Sequence, residues 1–271
     1  MSVVTPIRRV SVVRYPRPVA TIRDALAITQ RNLIALRRVP QLLIFATIQP
    51  VIFVVMFRFV FGGAITKIPG GLPYVDFLMP GVFTQAVVFG AMGTAVGLAA
   101  DMKTGLLERF RSLPMSRSAV LAGRTISDLA RNVFVVVLMA TVGFLVGFEV
   151  HTSVFGLIAG MVLILAFGYV LSWIFATVGL LVGDPETAQA ASFPIMAPLV
   201  FASSAFVPVD SMPGWLQVFA EHQPVSVVAS AARALMVGGP ASSFVWQSLI
   251  WMAAILVVAV PFAVGRYRRA V

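Results

Sequence analysis

Six times along this 271-residue chain, the charged residues stop for 17 residues or more. The uncharged stretches are Gln41–Phe57, Phe77–Ala100, Asn132–Phe148, Thr152–Gly183, Thr187–Val209 and Ala234–Gly265. A helix needs about 20 apolar residues to cross a hydrocarbon core of about 30 Å. Gln41–Phe57 is short of that, but after Arg58 it continues through Phe59, Val60 and Phe61. Lipid offers no partner to a bare peptide group, so such segments must close their own hydrogen bonds as helices. The alternation of a membrane barrel strand is absent. The reading is an all-α integral membrane protein with six transmembrane helices, at about 41–61, 77–100, 132–148, 154–181, 187–208 and 243–265. Residues 1–40 precede this domain (41–271) and carry an amphipathic helix at 21–38.

Composition agrees, with 59% hydrophobic and only 11% charged residues, where a soluble domain has about 45–50% apolar and about 25% charged. The net charge of +10 fits either a nucleic-acid binder or a membrane protein with basic cytoplasmic loops. The positions of the charges separate these. If the amino terminus is inside, eight Lys/Arg lie in 1–40, six in 101–131 and three in 266–271. Only Arg58, Lys67 and Arg233 lie elsewhere. Basic residues mark cytoplasmic loops, so both termini are expected in the cytoplasm, with no nucleic-acid partner. The first 40 residues hold eight Arg and no apolar run, unlike a signal peptide.

Outside the spans, Thr21–Arg38 places Ile22, Ala25, Leu26, Leu33 and Leu36 on one face, with Arg23, Asp24, Arg31 and Arg38 opposite. It reads as a helix in the inner interface, stopped by Pro40, or as a positive anchor for the first span. In segment 101–131, Pro114 should break a helix running on from the second span, and Ser116 can cap the next. The apolar ring of Phe110 between Arg109 and Arg111 suits a protein docking site as well as it suits a solvated topological loop. Outside, Pro208, Pro213 and Pro224 punctuate Phe206–Gly239. Ser211 is the expected cap of a short helix with Pro213 in its first turn. Trp215, Leu216 and Phe219 form its apolar face, so two short re-entrant helices, or one interfacial helix, fit here. Gly90, Gly93 and Gly97 suggest close helix approach on the second span. Pro194 and Pro198 should kink the fifth.

Much chemistry is absent. There is no Cys, and His151 and His222 stand 71 positions apart; no catalytic or metal residues are expected. A phosphate-binding loop needs a Gly-Lys pair, but the only lysines, Lys67 and Lys103, follow Thr66 and Met102. The span centres hold no ionisable residue, which argues against an ion-coupled transporter, an intramembrane hydrolase or a charge-ringed channel. Asp76 and Arg58 sit near span ends, where they can snorkel or meet water. Neutral polar residues do occur: Thr84, Gln85 and Thr94 on the second span, and Thr187, Gln189, Ser192, Ser203 and Ser204 on the fifth. They can line a path for an amphipathic cargo, or serve ordinary interhelical hydrogen bonding.

These pieces resemble the ABC type-2 exporter permeases, and more closely the membrane subunits of daunorubicin/doxorubicin resistance exporters. The resemblance rests on F-V-F-G-G-A-I at Phe59–Ile65, L-M-P-G at Leu78–Gly81, G-L-L-E-R-F-R-S-L-P-M-S-R-S at Gly105–Ser118, F-V-P-V-D-S-M-P-G-W-L-Q-V-F at Phe206–Phe219, and Q-P-V-S at Gln223–Ser226. It implies the type-2 permease fold in a bacterial cytoplasmic membrane, working as a homodimer or beside a paralogous permease, among membrane lipids. Two copies of a separate cytoplasmic ABC ATPase would bind ATP and Mg, leaving no cofactor on this chain. Glu108, Arg109, Phe110, Arg111, Ser112, Leu113 and Pro114 would match the element that couples to that ATPase. Thr84, Gln85, Thr94, Gln189, Ser192 and Ser203 would face the translocation path. Pro208, Pro213, Trp215 and Phe219 would form the outer gate. The expected function is ATP-driven export of a hydrophobic or amphipathic compound, a drug first and a lipid or polyketide second. The alternative of another class is a membrane scaffold or channel without an ATPase.

Overall fold

The computed structural model describes residues 17–38, 40–62, 68, 71–111 and 117–270. Every element among them is helical. α1 (Arg17–Arg38) stops just before Pro40, which opens α2 (Pro40–Val55). Proline costs little there, because the first N–H of a helix has no internal partner. A π-helical turn, Met56–Phe61, prolongs α2. After it come α3 (Tyr74–Lys103), α4 (Leu106–Arg111), α5 (Arg117–Leu145), α6 (Val154–Val182) and α7 (Pro185–Phe201). A 3-10 turn at Val209–Ser211 leads to α8 (Gly214–His222), α9 (Pro224–Met236) and α10 (Ala241–Ala270).

Among the described residues, four helices, α3, α5, α6 and α10, are long and apolar enough to cross a membrane. Thr47–Val60 and Pro224–Met236 are shorter apolar helices. The 30 residues of α3 span about 45 Å, so its ends reach past a core of about 30 Å. The 17 residues of α7 span only about 25 Å. The fifth expected span, 187–208, is thus a helix followed by an irregular segment. α5 begins at Arg117, where a helix was expected to lead into the third span, and runs on unbroken, so Arg124, Asp128 and Arg131 sit on the same helix as that span.

α3 is the hub. It packs against α6 above all, and also against α7, α5 and α9. Its sequence is apolar or small on every side, the pattern of a helix surrounded by others, and most of its residues are buried. α10 lies at the periphery, with Ile250, Val257, Val258 and Phe262 exposed. The main core joins α3, α5, α6, α7 and α9. A second, smaller core gathers Ile28 of α1, Leu98 of α3, Leu107 of α4, Val120 and Leu121 of α5, and Tyr267 of α10. These residues define one end of the bundle, here called the α4 end; the opposite one is the α8 end.

Local chemistry sets most helix limits. Ser153 caps α6, accepting from the Gly156 N–H at 3.1 Å, and Gly183 ends it in a left-handed turn at φ 71°. Asp184 caps α7, with Pro185 following it. α8 departs from expectation: its cap position is Pro213, with no side-chain cap. Ser211 instead donates its hydroxyl to the Pro208 carbonyl at 2.6 Å, because the 3-10 turn takes it up.

Gly81 marks the closest backbone crossing of the hub. A Cβ there would lie 1.8 Å from the Ala205 carbonyl oxygen, which is backbone and cannot swing aside. Gly81→Ala should therefore destabilise by at least about 1–3 kcal/mol, the usual cost of overpacking, and lower the thermal unfolding temperature in detergent. Gly265→Ala is the control, because nothing lies within 4 Å of its Cβ position; equal melting of the two variants would refute this crossing.

Candidate functional site

At the α4 end, α3 gives way to a turn at Thr104 and Gly105, the latter at φ 67°. That backbone suits glycine and redirects the chain into α4. Leu107 is buried in the second core, while Glu108 and Arg109 are exposed. α4 is thus fastened by one leucine and offers charge outward. The side chains of Phe110 and Arg111, and all of Ser112, Leu113 and Pro114, lie outside the described residues. Beside α4, Lys103 Nζ donates to Asp184 Oδ1 at 2.8 Å. The lysine bond first, and the Thr187 N–H second, hold the Asp184 carboxyl down to about 2. A carboxyl lowered in this way stabilises above its ordinary range and loses that contribution only as pH falls through about 2. This exposed clasp therefore persists at every physiological pH.

Between α3 and α5 runs a ladder of charges. Arg31 of α1 meets Asp101 of α3 at 3.4 Å, and Asp101 meets Arg124 of α5 at 3.4 Å. Arg124 pairs with Asp128 at 3.3 Å, and Arg131 lies 3.8 Å from Asp128. Thr94 donates to Asp128 Oδ2 at 2.7 Å, and Arg131 donates to the Gly90 carbonyl. Gly90, Gly93 and Gly97 make the room: Cβ atoms there would meet Asn132, Arg131 and Arg124, respectively. The sequence suggested that these glycines admit a neighbouring helix backbone. They admit the polar side chains of α5 instead.

α1 docks on α5 through the same polar logic. Thr29 donates to the Gly123 carbonyl at 3.1 Å, and Asn32 donates to Ser127 Oγ at 3.0 Å. Ala25 and Ile28 are buried beside them. The expected apolar face therefore splits: Ala25 turns to α5, while Ile22 and Leu26 stay 62% and 58% exposed. Those two can enter lipid.

At the α8 end, donors converge on carbonyls freed where α7 stops, as a helix end requires, and on one carbonyl of α3. Gln223 Nε2 donates to the carbonyls of Leu199 and Ala202 at 2.9 and 3.3 Å. Arg233 donates to the carbonyls of Phe77 and Ser204 at 2.9 and 2.8 Å, and its guanidinium sits 3.7 Å from the Phe77 ring centroid. Tyr74 donates to the Phe206 carbonyl at 2.9 Å. Asp76, expected at a wet helix end, is 1% exposed. It is held inside because it accepts from the Glu149 N–H at 2.9 Å and meets His151 Nε2 at 2.8 Å. Of the gate residues, Pro208 is buried. Pro213, Trp215 and Phe219 are exposed, and Val218 joins the last two in the outward face of α8 in place of the expected Leu216.

The six path residues divide sharply. Thr84, Gln85, Thr94, Ser192 and Ser203 are buried inside the chain. The hydroxyls of Thr84, Ser192 and Ser203 bond back to Pro80, Ala188 and Val200 on their own segment. Only Gln189 is exposed, and Thr187 and Phe193 of α7 share that exposure. Sequence reasoning missed Asp128, Arg131 and Arg233. Arg124, Asp128 and Arg131 recur at helical spacing opposite three glycines, and that pairing was the available signal.

The family described as ABC-2 type transporter matches residues 23–237. Over 238 residues the chain is 34% identical to a daunorubicin resistance ABC transporter permease protein of Streptomyces coeruleorubidus, covering 88% of this chain and 83% of the relative. It is 30% identical over 228 residues to a protein named "Probable doxorubicin resistance ABC transporter permease protein" in Mycobacterium tuberculosis, covering 83% and 81%.

Removing Asp128 takes one acceptor from each of Arg124 and Arg131 and the acceptor of Thr94, leaving Arg124 with Asp101 alone and Arg131 with the Gly90 carbonyl in a site of low exposure. Breaking a buried pair from one side costs about 3–5 kcal/mol. Asp128→Ala should therefore melt far below the parent, and Asp128→Asn, which keeps an acceptor for Thr94, should fall between them. Unchanged melting of Asp128→Ala would show that the ladder bears no load.

Proposed function

We propose a function from the premise that this chain belongs to the ABC-2 type transporter family: it is the permease subunit of a drug exporter in a bacterial cytoplasmic membrane. The relatives named for daunorubicin and doxorubicin resistance support this class of cargo. The chain has no Gly-Lys pair for a phosphate-binding loop, so ATP and Mg bind a separate ABC ATPase. Two ATPase copies serve two permease copies, and both termini lie in the cytoplasm.

The observation that carries this reading is the mounting of α4. It turns Glu108 and Arg109 outward while Leu107 is embedded among Ile28, Leu98, Val120 and Leu121. A push on α4 therefore bears first on α3, the helix it packs against, and through α3 on α5 and α1. The charge ladder ties those three helices into one body. α3 then carries the displacement to the α8 end, where Tyr74 and the Phe77 carbonyl grip the closure. Such a chain of packed elements is the physical requirement for coupling distant sites. Net export needs the cargo to bind the inward and outward states differently. The exposed face of α7 with Gln189 and Phe193, one turn apart, supplies a wall of mixed polarity suited to an amphipathic compound.

Glu108→Arg and Phe110→Ala should each release the ATPase from isolated membranes and abolish drug tolerance. A docking hot spot is worth at least about 2 kcal/mol, roughly thirtyfold in affinity. Normal retention and tolerance in both would overturn the docking assignment. Orientation has its own test, because the chain lacks Cys. On intact cells an impermeant maleimide should label Ser242→Cys and spare Thr104→Cys; the reverse pattern would invert the topology.

A further inference from the structure

At the α8 end, hydrogen bonds close into a ring through three elements. The ring starts at Asp76, in the first turn of α3. Its carboxylate accepts from the Glu149 N–H at 2.9 Å and meets His151 Nε2 at 2.8 Å. A carboxylate can only accept, so Nε2 carries that hydrogen. The same loop, between α5 and α6, then turns to α9. Thr152 donates its hydroxyl to the Leu235 carbonyl at 2.7 Å, and the His151 N–H donates to the Met236 carbonyl at 3.2 Å. Both carbonyls lie in the last turn of α9, where a helix leaves its acceptors without partners of its own. About one turn back, Arg233 donates to the Phe77 carbonyl at 2.9 Å. Phe77 follows Asp76 in the chain, so the ring is complete. Gly156 lets α6 close over it, because a Cβ there would strike the Leu235 carbonyl oxygen.

The ring also governs a charge. Among the described residues no carboxylate pairs with Arg233. Its guanidinium rests on the Phe77 ring and on two carbonyls, one of α3 and one beyond α7. Along α5 beyond Arg131, throughout α6 and α9, and along α10 before Arg266, Arg233 is the only charged side chain. α3 carries none between Asp76 and Asp101. Asp76 is therefore the only acid that these five helices bring to this end, and it stands one residue from the carbonyl that Arg233 grips. We infer that Asp76 is a positioning residue of the closure: through the loop between α5 and α6 it fixes the end of α9, and so sets Arg233 on the Ser204 carbonyl that follows α7. The inference rests on the export reading only in taking this end as the outer closure.

The chain lacks Cys, so a single introduced cysteine reports on the closure. Ala229 is fully buried, on the α9 face that carries Ser226 three residues before it and Arg233 four after. On intact cells, an impermeant maleimide should label Ala229→Cys slowly. A hydrogen bond to a charged group corresponds to at least about tenfold in an equilibrium, so adding Asp76→Ala should speed that labelling at least about tenfold. His151→Gln keeps an amide hydrogen near the place of Nε2 and should leave the rate unchanged, whereas His151→Phe should approach the rate of Asp76→Ala. Leu98→Cys, buried in the core at the α4 end, should stay protected from a permeant maleimide in all of these variants. Unchanged labelling in Asp76→Ala would overturn the inference, as would His151→Gln labelling as fast as His151→Phe. Equal exposure of Leu98→Cys would overturn it too, by making Asp76 a residue of general stability. Acceleration seen only with a permeant maleimide would uphold the positioning role and overturn the outward orientation of this end, so the two failures are distinct.

Discussion

Helices inside a bilayer gain little from the hydrophobic effect against one another, because lipid tails are as apolar as their own side chains. Association must come from close packing and from polar groups that lipid cannot satisfy. α3 meets both demands in one element. Gly90, Gly93 and Gly97 remove side chains along one flank, and Asn132, Arg131 and Arg124 of α5 fill the space. Asp101, Asp128 and Thr94 then supply acceptors and a donor that neutralise what has been buried. Neither half is tenable alone: the glycines without α5 leave a void, and the arginines without the acids leave bare charge. The position of α1 depends on this pairing, since Arg31 reaches Asp101 and Thr29 reaches the backbone of α5.

The α8 end answers a different demand. α7 is too short to cross by itself, and its stop exposes carbonyls that need donors. Gln223, Arg233 and Tyr74 deliver those donors from three separate places. Gly81 lets the Ala205 turn settle directly on α3. The Lys103–Asp184 clasp holds the other end of α7. The same hub thus carries an ion-paired face toward α4 and a carbonyl-capping face toward α8.

Much of this was legible along the chain. The uncharged stretches Phe77–Ala100, Thr152–Gly183 and Ala234–Gly265 overlap the long apolar helices α3, α6 and α10, because an uncharged run of span length is a one-dimensional signal. Pro40, read as the stop of the amphipathic helix, lies just beyond the end of α1 and opens α2. Other features were not legible. Asp76 looked like a residue for water, yet the Glu149 amide and His151, 73 and 75 positions away, hold it inside. Thr84, Ser192 and Ser203 suited either a polar lining or ordinary hydrogen bonding, and their hydroxyls turn to carbonyls of their own segments. A hydroxyl's partner is chosen by its rotamer and its neighbours, neither of which is written in residue spacing.

By itself, then, the sequence determined that this chain is a helical membrane protein and roughly where its long helices run. It also contained the residue runs that tie it to its family. Those properties follow from local composition and from the fixed thickness of a bilayer. Only the tertiary structure decided that the charges of α5 enter the glycine groove of α3, that Arg233 closes α7, and that Ala25 faces protein while Leu26 faces outward. Each of those depends on which helix lies opposite, and pairwise complementarity between distant segments has no periodic signature in either one.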